Sequence, residues 1–181
     1  MNVRRMRSSS PKPLIVLASA AAAGGANTQS FPAELRPLSI AAGTWLYHWM
    51  NAATADQKAG RWTWLEQCGW SANNAFMACS FTMNGPDGVV KSLAISTYNA
   101  NDRSYWHYEA FGSGGDGASP FIGRMTVSGR TWTYDGKAGK MSYRVIYHYE
   151  SATKVTLRIE ESNDDAHWTV IAQGEGRKQL S

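Results

Sequence analysis

From Gly43 onward the chain alternates apolar and polar residues with a period of two. In "RWTWLEQCGW" at 61–70, Trp62, Trp64, Glu66, Cys68 and Trp70 share one face, and Arg61, Thr63, Leu65 and Gln67 share the other. The same period recurs in short runs rich in Trp, Tyr, Thr, Val and Ile, punctuated by Gly, Asn and Asp. It predicts strands over 44–51, 60–70, 75–83, 89–98, 103–111, 120–127, 130–135, 140–150, 153–162 and 166–178. The turns between them include "NGPDG" at 84–88, "NAND" at 99–102, "SGR" at 128–130, "DGKAGK" at 135–140 and "SNDDA" at 162–166. No long amphipathic helix competes, and "FPAELRPLSIAAG" at 31–43 reads as a short helical turn or an irregular lead-in. About ten strands joined in sequence predict an all-β, antiparallel, up-and-down barrel.

The segment "QCGWSANNAFMACS" at 67–80 holds both cysteines of the chain. Cys68 and Cys79 are equidistant from Asn73-Asn74, which makes them cross-strand neighbours on the apolar face that also carries Met77 and Phe81. A disulfide across the hairpin is expected, with two buried free thiols as the alternative. A two-residue loop would make 68/79 a hydrogen-bonded pair. A four-residue loop over 72–75 makes it a non-hydrogen-bonded pair, whose side chains approach more closely. Because a disulfide needs Cβ atoms about 3.5–4.5 Å apart, the longer loop is preferred. Its covalent ring is short, so the bridge is read as fixing register more than supplying bulk stability. Zinc would need two more ligands nearby, which the local spacing does not supply, and no metal is expected.

Charge changes the picture once it is located. The chain has 18 basic and 14 acidic side chains, for a formal net charge of +4. Arg4, Arg5, Arg7 and Lys12 lie in the first 30 residues, which contain no acid, so 14 basic and 14 acidic side chains remain beyond them. A neutral body has no electrostatic footprint for a polyphosphate, and nucleic-acid binding is excluded. "MNVRRMR" followed by "LIVLASAAAA" and small residues through Ala26 has the order of a secretory signal, and its apolar stretch is too short to span a bilayer. Residues 1–30 are therefore expected to be a signal peptide and linker, and 31–181 one exported domain, periplasmic or secreted, without stable membrane insertion. An oxidising compartment permits the disulfide.

Certain motifs resemble a known family. "GTW" at 43–45 opens the first strand, and "GEGRK" at 174–178 closes the last. With "CGW…FMAC", "DRSYWHYEAFGSGG", "GRTWTY" and "EESNDDAHW", the chain over about 38–178 resembles a bacterial family of exported, lipocalin-like (calycin-type) domains of unknown function. The resemblance implies structural roles for Gly43, Trp45 and a basic side chain of the last strand, Arg177 or Lys178, packed across the Trp45 indole. It also implies a barrel with a ligand cavity, but no particular reaction. At "NDDAHW", Asp165-Ala166 stands where the family pattern would have an easier Asp-Gly turn.

With Trp45 as the inward reference, strand parity places Tyr47, Trp49, Trp62, Trp64 and Glu66 inside. Tyr105, His107, Glu109, Phe111, Tyr143, Val145, Tyr147, Tyr149, Val155, Leu157, Ile159 and Glu161 follow from the later strands. An aromatic lining with few polar groups is how small-molecule pockets are built. Tyr47, Trp49, Trp64, Glu66, Tyr143, Tyr147 and Glu161 are the candidate ligand-binding residues. Glu66 and Glu161 are either cavity acids or partners of Arg144 or Arg158 at a rim. His107 and Glu109, two apart on one face, are the candidate acid/base pair, with an internal hydrogen bond as the bland alternative. No motif marks His107 as a haem ligand, and no cofactor is expected. His48 and His148 have outward parity. "FGSGGDGASP" at 111–120 precedes a strand rather than a helix and does not suit phosphate binding.

Three functions fit this pattern. The first is an exported protein that binds a small apolar or aromatic molecule in the barrel. The second is an isomerase, cyclase or lyase using the same cavity with His107 and Glu109. The third is an accessory domain whose barrel is filled by its own eight Trp and eight Tyr side chains. The sequence leaves room for a homodimer.

Overall fold

A computed structural model describes residues 32–54, 58–112 and 120–180. The expected leader and most of the Gly-rich 111–120 segment lie outside the described residues, as does the side chain of Phe111. Ten strands follow one another: β1 (Gly43–Asn51), β2 (Gly60–Trp70), β3 (Phe76–Gly85), β4 (Gly88–Asn99) and β5 (Ser104–Gly112) come first. Then come β6 (Phe121–Ser128), β7 (Thr131–Ala138), β8 (Met141–Tyr149), β9 (Lys154–Ser162) and β10 (Thr169–Gln179). Each pairs antiparallel with its neighbours in sequence, and β1 pairs with β10 to close an up-and-down barrel. Closure leaves no open sheet edge.

Two strands differ noticeably from their expected bounds. β7 continues past Asp135 because Gly136 accepts the Phe121 ring where a side chain would stand; an added Cβ would lie 2.5 Å from that ring. The turn then falls at Gly139, whose φ of 61° suits glycine. β10 begins at Thr169, after a turn organised by Asp164, which accepts from the backbone N–H of Ala166 and of His167. Asp165 takes the left-handed conformation there, with φ of 62°, which is the strain that an Asp-Gly turn would avoid.

The lead-in forms a 3₁₀ helix over Ala33–Ala41, burying Leu35, Leu38 and Ala41 against one end of the barrel. Trp45, fully buried, donates its Nε1–H to the Ala41 carbonyl at 2.9 Å. The Tyr105 hydroxyl donates to the Glu34 carbonyl from the other side. The basic residue over Trp45 is Lys178, not Arg177. Lys178 pairs with Trp45 in the β1/β10 register and places Nζ 5.4 Å from the indole centroid. Arg177 pairs with Leu46, so alternation turns it outward, where it faces Glu175 at 3.8 Å.

The interior follows the expected parity except at the end of β9, where Glu160 and Ser162 are buried and Glu161 is only half-buried. β1 sets Trp45, Tyr47 and Trp49 opposite Glu66, Trp64 and Trp62 of β2 on one side, and opposite Lys178, Gly176 and Gly174 of β10 on the other. A Cβ at Gly176 would lie 2.6 Å from the Tyr47 ring, so the glycine vacates the volume that the ring fills. No helix among the described residues is long and apolar enough to cross a membrane.

Candidate functional site

The hairpin between β2 and β3 builds one wall of the lumen. Ser71 N–H donates to the Phe76 carbonyl at 2.9 Å, closing a loop over 72–75 with Asn74 at a φ of 54°. Counting inward from that pair makes Cys68/Cys79 a non-hydrogen-bonded pair. The two are joined by a disulfide with Cα atoms 4.1 Å apart. The four-residue loop and the bridge are thus as the spacing suggested.

Inside, the barrel is not full. A cavity of about 280 Å³ runs from Ala41 at the helical plug to Asn51 and Ile171 toward the other end. Its walls are apolar and rich in aromatic rings, with Trp49, Trp62, Trp64, Phe81, Tyr134 and Tyr147 prominent. Trp64 stands at their centre, with ring centroids of Tyr47, Trp49 and Phe81 each 5.0 Å away. The polar groups reaching this space include Glu66, Ser96, His107 and Glu109. A larger concavity of about 780 Å³ lies on the outer surface near His48, Arg61 and His148. It is open to solvent and holds none of the aromatic convergence, so the lumen is the better candidate.

Glu66 is buried opposite Trp45 and Phe81. Burial pushes its pKa from 4.5 up to about 7; the Tyr47 hydroxyl offsets part of this and Glu109 adds to it. The Tyr47 hydroxyl completes no well-aligned hydrogen bond, and Glu66 Oε2 has no partner among the described residues. Glu66 Oε1 lies 3.0 Å from Cys68 Sγ. The carboxylate and both sulfurs fall within 4.8 Å of one another, a spacing that would suit a soft metal only with the disulfide reduced. Burial, followed by the Glu66 charge, raises the phenols of Tyr47, Tyr134, Tyr147 and Tyr149 well above their usual value.

His107 and Glu109 do converge, but within a longer chain. Ser96 Oγ is 2.9 Å from His107 Nδ1, and His107 Nε2 is 3.6 Å from Glu109 Oε2. Ser92 Oγ donates to Glu109 Oε1 at 2.6 Å. Both imidazole nitrogens therefore have protein neighbours. The two serines were missed by reading the aromatic strands alone. Their signal was the period-two row of small residues Ser92, Ala94 and Ser96 in "KSLAIS", facing the bulky β5 side chains.

Other candidates divide. Trp49, Trp64, Tyr143 and Tyr147 line the cavity, whereas Tyr47 is buried behind Trp64 and stacked on it. Glu161 is half-buried opposite Tyr143 and outside the cavity lining. The ion pairs with Arg144 and Arg158 are made instead by its neighbour Glu160, at 3.8 and 3.0 Å. Nε1 of Trp49, Trp62, Trp64 and Trp132 has no acceptor among the described residues.

Solved structures share this barrel. The S-type phycobiliprotein lyase CPES from Guillardia theta aligns with a TM-score of 0.57 at 9% identity, covering 79% of this chain and 90% of that one. Rv2717c from M. tuberculosis aligns at 0.60 and 11% identity, covering 83% of this chain and all of its own. At these identities the likeness is one of fold: a lipocalin-like calycin barrel. No family model and no curated protein matches the chain.

Proposed function

We propose that this protein binds a small apolar or aromatic molecule inside its barrel, and that it does so after export. The supporting observation is the cavity of about 280 Å³, left open within walls of Trp, Tyr and Phe beside a buried carboxyl, one oxygen of which has no partner among the described residues. A barrel filled by its own side chains would leave no such space. Residues 1–30 act as signal peptide and linker, and 31–181 form the domain of an exported bacterial lipocalin-like family. The Cys68–Cys79 disulfide is compatible with that route.

Native mass spectrometry of protein isolated from a cell envelope should show a retained small molecule. Titration with the neutral probe N-phenyl-1-naphthylamine should quench tryptophan fluorescence, since Trp49, Trp62 and Trp64 line the space. No retained mass, together with no quenching, would overturn the proposal.

A second function, an isomerase, cyclase or lyase, is favoured by one observation. The Ser96–His107–Glu109–Ser92 chain borders the cavity and links an imidazole to a carboxylate. One structural neighbour bears the name of a lyase, which accords with such chemistry on this scaffold. In this reading His107 would shuttle a proton on the bound molecule, with Glu109 stabilising the imidazolium.

A further inference from the structure

We propose that the lumen selects an organic cation: a compact molecule with an aromatic or apolar body and one protonated amine, the amine seated at Glu66. This rests on the cavity-binding function above and adds the charge of the ligand.

The charge inventory comes first. Among the described residues, the charge-bearing side chains lining the cavity are Glu66, Glu109 and His107, and none is Lys or Arg. Lys178 is at the plugged end over Trp45, and Arg144 lies against Trp168 and Asp135 instead. An anionic ligand would meet two carboxyl groups and no lysine or arginine. A cation meets the opposite. It finds an oxygen acceptor, Glu66 Oε2, that is buried and has no well-aligned hydrogen bond among the described residues, with only the Tyr47 hydroxyl acting on the carboxyl. It also finds ring faces whose quadrupole attracts positive charge. Trp64, with Phe81 at 5.0 Å and Tyr147 at 6.3 Å, supplies such faces next to the carboxyl.

Binding then exchanges a proton for a cation. In the unoccupied lumen Glu66 is held toward its neutral form by burial and by Glu109. The groups facing it are Tyr47 from β1, the Cys68–Cys79 bridge, Glu109 from β5, Tyr134 from β7 and Tyr147 and Tyr149 from β8. His107 of β5 lines the same cavity but is engaged by Ser96 and Glu109, and no lysine or arginine among the described residues stands by to stabilise the carboxylate. An ammonium supplies the missing charge, so Glu66 releases its proton as the ligand enters, and affinity rises with pH until Glu66 is already ionised.

Three ligands sharing one ring test this on the full chain: tryptamine, 3-methylindole and indole-3-propionate, by isothermal titration at about pH 8 and about pH 5.5. Tryptamine should bind about tenfold more tightly than 3-methylindole at the higher pH, and indole-3-propionate should bind most weakly. The preference should shrink at the lower pH. At about pH 5.5, where Glu66 is protonated before binding, tryptamine should release protons, seen as a dependence on the buffer's ionisation enthalpy. Glu66→Gln should abolish the preference and the proton release while retaining 3-methylindole. If Glu66→Gln does not fold, proton release by the unaltered protein remains the deciding measurement. Tryptamine binding no better than 3-methylindole at about pH 8, or without proton release at about pH 5.5, overturns the proposal. If N-phenyl-1-naphthylamine binds and none of the indoles does, the cation proposal alone fails. If no probe binds, the cation proposal fails, and if no mass is retained either, the cavity function fails with it.

Discussion

Glu66 Oε1 lies 3.0 Å from Cys68 Sγ, whose sulfur is bonded to Cys79. A disulfide sulfur carries no proton, so a hydrogen bond across this contact requires Glu66 to be the donor. That arrangement needs the neutral carboxyl, the form that burial favours up to about pH 7. Redox state and protonation thus meet at one spot on the lumen wall.

The stability consequence has a definite sign. The folded-state pKa of Glu66 is raised from 4.5 to about 7, so its stabilising contribution is complete below the unfolded value and lost as pH rises to about 7. The loss is on the order of 3 kcal/mol. Glu66→Gln should match the unaltered protein near pH 4 and exceed it above neutrality by up to that amount. Denaturant unfolding of both proteins across this range checks the difference, and equal pH slopes would refute it.

Unfolded, unreduced protein exported to an oxidising compartment should show no reactive thiol. Replacing both cysteines by alanine should cost about 3 kcal/mol by the loop-entropy relation for so short a ring. Thiol labelling and urea denaturation measure the two effects. Label on both cysteines of the exported protein would remove the bridge and weaken the case for export.

His107 contacts Ser96 and Glu109, so His107→Phe should strand the buried Ser96 hydroxyl, leave Glu109 with Ser92 alone, and lower stability by about 1–3 kcal/mol. If its role is structural, the quenching by N-phenyl-1-naphthylamine should persist. Loss of binding or turnover without loss of melting temperature would instead place His107 against the ligand.

Lys178 and Arg177 should separate cleanly. Lys178→Ala removes the cation over Trp45 and a donor to the Ile40 carbonyl, and should cost about 1–2 kcal/mol. Arg177→Ala removes an exposed charge from the outer face and should fall within about 0.5 kcal/mol of the parent. Thermal melts of the two variants give the comparison.

Gly176→Ala should destabilise by about 1–3 kcal/mol, because the new methyl group meets the Tyr47 ring. Gly174→Ala should cost more, since the obstruction there includes the His48 carbonyl, 2.2 Å away, and backbone yields less than a ring. A reversed order in their melting temperatures would contradict the packing described.

Strand count, inward face and the disulfide were legible in the chain because each depends on a local period or a symmetric spacing. Alternation alone puts Trp45, Trp64, Glu66 and His107 inside, and symmetry about Asn73-Asn74 alone brings Cys68 to Cys79. Which inward residues touch was another matter. A turn over 99–102 would have set Ala94 opposite His107; the chain turns two residues' worth of register later, pairing Asn99 with Ser104 and bringing Ser96 there instead. The face survives such a shift, because the period is two, but every partner changes. Likewise either basic residue of "GRK" suited Trp45 by composition, and only the closing β1/β10 register chose Lys178. The cavity, finally, is a difference between the volume enclosed by ten strands and the volume of their side chains. No local pattern encodes that difference, so only the closed barrel determines how much room remains beside Glu66.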